Sequence, residues 1–180
     1  MNYDSRSDTL SHIGKVHINI DTIRENLRNR AIRHDLSKLD TPEKEVFDTV
    51  TPKLRGLTYG SAEYKNCLVE MGVALEHHYK VNSHHPEHYG YAECNICFSR
   101  YPRDYDNRCG CGNAQFTLRP DINKMSLLDI VEMLADWKAA TERHADGNLM
   151  ESLKINKERF EISEQLYGIL ENTARELGWV

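Results

Sequence analysis

The sequence predicts an all-α fold, a helical bundle interrupted by one loop-rich insert that carries cysteines. Three observations carry this reading. Apolar residues recur at spacings of three and four, as in Leu10, Ile13, Val16, Ile20, Ile23 and Leu27. Helix-start chemistry stands ahead of several such stretches. Period-two alternation, the mark of a half-buried strand, is confined to short possibilities in the insert. With 180 residues, 39% of them apolar and 28% charged, the chain reads as a single domain over 1–180 that can bury a core without staples.

The elements follow in order. Residues 9–29 read as a helix whose apolar stripe includes His17, between Ile13 and Ile20. Residues 30–39 continue as plausibly helical. Thr41-Pro42-Glu43 is a helix start, with Thr as N-cap and Pro at the first position. Residues 51–60, with Pro52, Gly56 and Gly60, read as a loop. Ser61 opens a helix to about Lys80. Residues 82–124 change in texture, and within them 90–122 forms the insert, rich in Gly, Pro and Cys. Ser126 and Asp129 form a capping box for a helix to about His144, which stops near Asp146-Gly147-Asn148. One last helix runs from about Glu151 to Leu177, with Gly178 placed as its C′ residue.

Bulk properties exclude some functions. A net charge of −5 argues against general nucleic-acid binding, which needs a positive field. It leaves room for a small phosphorylated substrate, because metal ions supply positive charge locally. The first residues are polar, unlike a signal peptide, and no run approaches the ~20 apolar residues of a membrane span. The expectation is a cytoplasmic protein with no membrane partner, for which self-association stays open. Its five cysteines then point to metal or free thiols rather than disulfides.

Histidine is the informative residue. Of nine, five fall within twelve positions: His77, His78, His84, His85 and His88. Such tracts suggest metal binding, with a solvated loop as the alternative. His34-Asp35 adds an adjacent pair, and a carboxylate can bridge two ions where an imidazole serves one. His17 reads either as a ligand or as a satisfied core histidine. Asp136 lies in Met133-Leu-Ala-Asp136-Trp-Lys, an apolar setting where a carboxylate needs water or a charge partner. One ion would take His17, His34, Asp35 and Asp136. A second would share Asp35 with His78, His84 and His85. His77 competes with His78 for this role, and His78 is preferred. Histidine with aspartate suits Mn, Fe, Co or Zn. Two ions ~3.5–4 Å apart would clamp a phosphoryl group and generate a hydroxide nucleophile.

The order His17, His34-Asp35, distant Asp136 resembles the HD-domain superfamily of metal-dependent phosphohydrolases. The run His34-Asp-Leu-Ser-Lys38 is similar to the His-Asp-x-x-Lys element of its HD-GYP branch, and His78 with His84-His85-Pro-Glu-His88 to that branch's later histidines. His84–His88 and Glu132-Met-Leu-Ala-Asp136-Trp-Lys-Ala-Ala140 also resemble short HD-like proteins of tailed bacteriophages, which would place the chain in a host cytoplasm. The resemblance implies an HD-like helical bundle in which Asp35 bridges the ions and Lys38 contacts substrate phosphate or protonates the leaving group. Gly90-Tyr91 is followed by Ala92, not the Pro of a Gly-Tyr-Pro element, which argues against cyclic-di-GMP. Arg33, Lys138 and Arg143 are candidate phosphate contacts. Glu87 or Glu132 would orient a ligand histidine.

Cys94-Asn-Ile-Cys97 and Cys109-Gly-Cys111 are separated by eleven residues and fit a closed four-thiolate zinc knuckle of structural type. Cys67 reads as a buried apolar residue. The leading function is metal-dependent hydrolysis of a phosphoester, a nucleoside monophosphate first and other nucleotides or small phosphorylated metabolites next. The alternatives are a diiron oxygenase on the same ligand types and a scaffold that binds a nucleotide or protein without turnover.

Overall fold

The computed structural model describes residues 3–57, 61–143 and 147–180. Among them the chain is mostly helical, with six α-helices and one small sheet. It divides into two compact units, Met1–His34 and Asp35–Val180.

The first unit is one helix, α1 (Arg6–Arg33). The apolar stripe predicted to face a core is exposed: Leu10, Ile13, Ile20 and Ile23 all present their side chains, and no residue of α1 is buried. The reason is architectural, since a helix alone in its unit has no second layer to bury a stripe against. Side-chain pairs one turn apart line its surface, among them His17 with Asp21 and Arg24 with Asp21. The helix covers residues that the sequence reading split in two, and it ends at His34, whose ψ of 123° leaves helical space.

The second unit begins at a left-handed residue. Asp35 sits at φ 57°, a left-handed conformation that Asp tolerates better than most residues. A 3₁₀ turn, Leu36–Leu39, follows, so the expected helix over 30–39 is broken in its middle. Helix α2 (Lys44–Leu54) starts at Glu43 rather than Thr41, whose hydroxyl instead donates to Glu45. It also runs through Pro52, where a loop was expected. The bond that Pro cannot give is outweighed by packing of Val46, Phe47, Val50 and Leu54 in a cluster with Cys67 and Met71 of α3. Residues 58–60 of that expected loop lie outside the described residues.

Helix α3 (Ala62–Val81) opens as expected on Ser61, whose hydroxyl accepts from Tyr64 N–H, and is kinked at Gly72 (φ 42°). A 3₁₀ turn at Pro86–Tyr89 leads into the insert. There β1 (Tyr91–Cys94), β2 (Arg100–Pro102) and β3 (Phe116–Arg119) form an antiparallel sheet in the order β2-β1-β3, with Ala92 opposite Tyr101 and Leu118.

Helix α4 (Leu127–Thr141) carries the full capping box of Ser126 and Asp129. The expected extension to His144 reaches residues 144–146, outside the described residues. Asn148 is not a helix stop: its carboxamide oxygen accepts from the Met150 and Glu151 N–H groups and so starts α5 (Leu149–Arg159). The predicted last helix is two, because Glu161 at φ 51° turns the chain before Ser163 caps α6 (Glu164–Glu176). Gly178 terminates α6 at φ 67°, with Trp179 N–H reaching back to Ala174 O. Helices α4, α5 and α6 enclose the main core, where Met133, Leu153 and Leu170 are fully buried and Trp137 stacks on Phe160.

Candidate metal centre

Four side chains of the second unit converge. One oxygen of Asp35 and one ring nitrogen each of His78, His84 and His85 lie within 4.8 Å of one another. Each arrives from a different local cause. Asp35, left-handed at φ 57°, stands at the entry to the 3₁₀ turn. His78 stands on the last turn of α3. The bond from His85 N–H to Asn82 O folds the chain back so that His78 Nε2 and His85 Nε2 meet at 2.8 Å. Buried Asp129 of α4 holds the histidine loop from both sides, accepting from Ser83 Oγ at 2.7 Å and Tyr89 OH at 2.9 Å. Asp129 thus does more than cap its helix.

The distances suit a cation. His78 Nε2 lies 3.4 Å from Asp35 Oδ1, and His84 Nε2 lies 3.5 Å from the same oxygen. Bonds of about 2.1 Å to a first-row ion place neighbouring ligands about 3.0–3.4 Å apart. The chemistry suits it too. Burial pushes the pKa of His85 well below its usual value, with His84 adding to the effect, and burial followed by Lys38 lowers that of His78. Both shifts favour the neutral imidazole, the form that binds metal.

Carboxylates stand behind two of the rings. Glu43 Oε2 lies 2.9 Å from His78 Nδ1, and Glu132 Oε1 lies 3.3 Å from His84 Nδ1. This is the carboxylate–histidine arrangement found at bound metals. Lys38 Nζ contacts the other oxygen of Asp35 at 2.5 Å and lies over the Phe47 ring.

The remaining sequence candidates distribute unevenly. His77 is 39% exposed and pairs with Glu43, while the group within mutual reach contains His78. An Asp136 oxygen and a His84 ring nitrogen lie within 4.8 Å, with Asp136 half-buried. His88 Nδ1 faces Tyr79 O. Glu87 pairs with Arg159 at 2.6 Å, so of the two acids expected to orient a ligand only Glu132 faces a clustered histidine. Lys138 pairs with Glu142. It is two residues from Asp136, about 200° around the helix, and therefore points away from that carboxylate. Arg143 is exposed. His17, Arg33 and His34 belong to the first unit, where His17 is 77% exposed and His34 caps α1. Glu43 was missed as a site residue because an acid at a helix start already has a local explanation.

The insert holds a second group. Cys94, Cys97, Cys109 and Cys111 bring their sulfurs within 4.8 Å of one another. Cys94 Sγ is 3.6 Å from Cys111 Sγ, and Cys97 Sγ is 3.3 Å from Cys109 Sγ. Tetrahedral zinc, with bonds of about 2.3 Å, spaces its sulfurs about 3.8 Å apart. Two tight turns deliver the pairs: Phe98 N–H bonds Cys94 O, and Gly112, at φ 88°, bonds Cys109 O. The Cys97 backbone N–H is the main influence that lowers the Cys94 thiol to about 5, while at Cys111 the pull of the Asn113 backbone N–H is outweighed by the sulfur neighbours and the thiol is raised to about 12.

Among the described residues, no helix is long and apolar enough to cross a membrane. No curated protein and no solved structure matches the chain significantly. A model of the family of unknown function DUF5662 matches residues 1–176, and the chain belongs to that family.

Proposed function

We propose that this protein is a metal-dependent phosphohydrolase of the HD type, acting on a nucleotide, a nucleoside monophosphate first, or on another small phosphorylated metabolite. The observation that carries the reading is the convergence of Asp35, His78, His84 and His85 with Glu43 and Glu132 behind two of the rings. A bound Mn, Fe, Co or Zn ion would supply a Lewis acid for a phosphoryl oxygen and lower the pKa of a coordinated water. The chain's own groups do the rest. Asp35 and the three imidazoles would hold the ion, and Asp136, beside His84, would be the acid to join them. Lys38, part-exposed beside Asp35, is the cation available to a substrate phosphate. The parts assigned to His17 and His34 rest on the sequence reading, and the HD-like fold on the sequence resemblance. In the insert, the four thiolates would hold zinc in a closed, structural site with no open position.

Phosphate release from a panel of nucleotides tests this, with Mn, Co, Zn, Mg and Fe supplied in turn. Turnover that requires one of these ions supports the proposal. An iron-loaded form with an optical charge-transfer band in air, and no phosphate release, moves the assignment to oxygen chemistry. Tight nucleotide binding without turnover assigns a binding scaffold.

A further inference from the structure

The geometry points to Glu43 as the positioning residue of the metal centre, the acid that fixes His78 in its Nδ1–H form so that Nε2 is the ligating atom. The inference rests on the metal-centre reading above and adds to it a tautomer and the role of the acid that sets it.

The argument is a count of hydrogens. Glu43 is fully buried, at 0% exposure, so its carboxylate needs donors. Three groups surround it. His77 Nδ1 lies 2.7 Å from Oε1, while His78 Nδ1 and Ser37 Oγ lie 2.9 Å and 3.0 Å from Oε2. The single hydroxyl hydrogen of Ser37 goes to Glu43. Asn82 comes within 3.0 Å of His78 Nδ1 through its amide nitrogen, but that nitrogen has only two hydrogens. Ser37 Oγ and His78 O, each at 2.9 Å, accept both. His78 Nδ1 is therefore left facing a carboxylate acceptor with no donor of its own to receive, and it carries the proton. The neutral ring then has its lone pair on Nε2, the atom facing Asp35 Oδ1 and His85 Nε2.

Position reinforces the assignment. Glu43 is the residue at which α2 begins, where the helix dipole favours a negative charge. Its oxygens are fixed by a helix start on one side and α3 on the other. Outer carboxylates of this kind make a ligand imidazole more basic, and their loss commonly weakens metal binding about 10–100-fold.

The test reads the tautomer first. Long-range proton–nitrogen correlation NMR on the metal-free full chain should show His78 with its proton on Nδ1. A proton on Nε2 overturns the inference. The second arm titrates Co(II) into wild type, Glu43→Gln and Glu43→Asp, following the ligand-field bands. Glu43→Gln should bind about 10–100-fold more weakly with shifted bands, and Glu43→Asp, which keeps the charge, should recover part of the loss. Equal affinity in wild type and Glu43→Gln overturns the inference. If Glu43→Gln does not fold, the wild-type tautomer decides. If wild type takes up no Co(II) at the histidines, the proposed function falls, and the tautomer still decides the role of Glu43.

Discussion

The two candidate metal groups are built in opposite ways. The thiolate group is local: its four sulfurs come from Cys94 to Cys111, on turns of a sheet whose strands are three or four residues long. The imidazole group is non-local: Asp35, His78, His84 and His85 come from a 3₁₀ entry, a helix end and a loop, and Glu132 reaches in from α4. The local group has ligands of one kind and almost no apolar core around it, with Ala92, Cys94 and Cys109 its buried apolar residues. A three-stranded sheet this small needs outside support to persist, and a metal there would supply folding energy. The non-local group has mixed ligands, outer acids and a neighbouring cation. It sits on helices that are packed independently of it. On the proposed reading, one group would hold structure and the other would carry chemistry.

That contrast can be broken at the chemical end first. Asp35→Ala removes the oxygen shared by His78 and His84 and should cut turnover more than about 10³-fold, the scale of losing a major charge-stabilising group, with metal content falling at this site alone. Retained activity with full metal content would end the bridging role. Cys109→Ala is the converse. It should strip zinc from the insert and melt the sheet, seen by elemental analysis and by rising amide exchange over residues 91–119, while the imidazole site keeps its metal. Unchanged zinc would show that the thiolates are not ligands.

Two smaller effects sharpen the comparison. Lys38→Met keeps a long side chain over Phe47 and removes the charge. It should lower kcat/KM about 10–100-fold, in the range of a single charge-assisted contact to phosphate, with little change in metal content. Steady-state kinetics checks this. The smallest effect is on the metal-free protein. The pKa values of His78 and His85 are lowered by burial, so below about pH 6.5 the unfolded chain binds protons that the folded chain refuses. Their contribution to stability is present above that pH and is lost progressively as pH falls toward the folded values. Denaturant midpoints of the metal-free protein should drop through this window, and a flat profile would contradict the burial of the cluster.

The legible parts of the fold were those with a local signature. Ser61, the Ser126–Asp129 box and Gly178 each mark a helix end where the structure has one, because caps satisfy backbone groups within a few residues. The missed features had none. Asp35 and Glu161 take left-handed conformations without being glycine, so no glycine announces the break after α1 or the split of α5 from α6. Pro52 signals a loop, yet the α2–α3 contact overrides it. The exposed stripe of α1 shows the limit of periodicity, which reports that a face is apolar and not what covers it.

By itself the sequence determined a mostly helical chain, a compact cysteine cluster whose members are close along the chain, and a supply of histidine and aspartate suited to metal. Only the tertiary structure decided that His78 rather than His77 joins His84, His85 and Asp35, that Glu43 lies behind it, and that Lys138 points away. The physical reason is range. Caps and short-spaced ligands are fixed by a few residues of backbone, whereas ring nitrogens 2.8 Å apart from residues 78 and 85, with an acid from residue 43 behind them, depend on how α2, α3 and α4 pack.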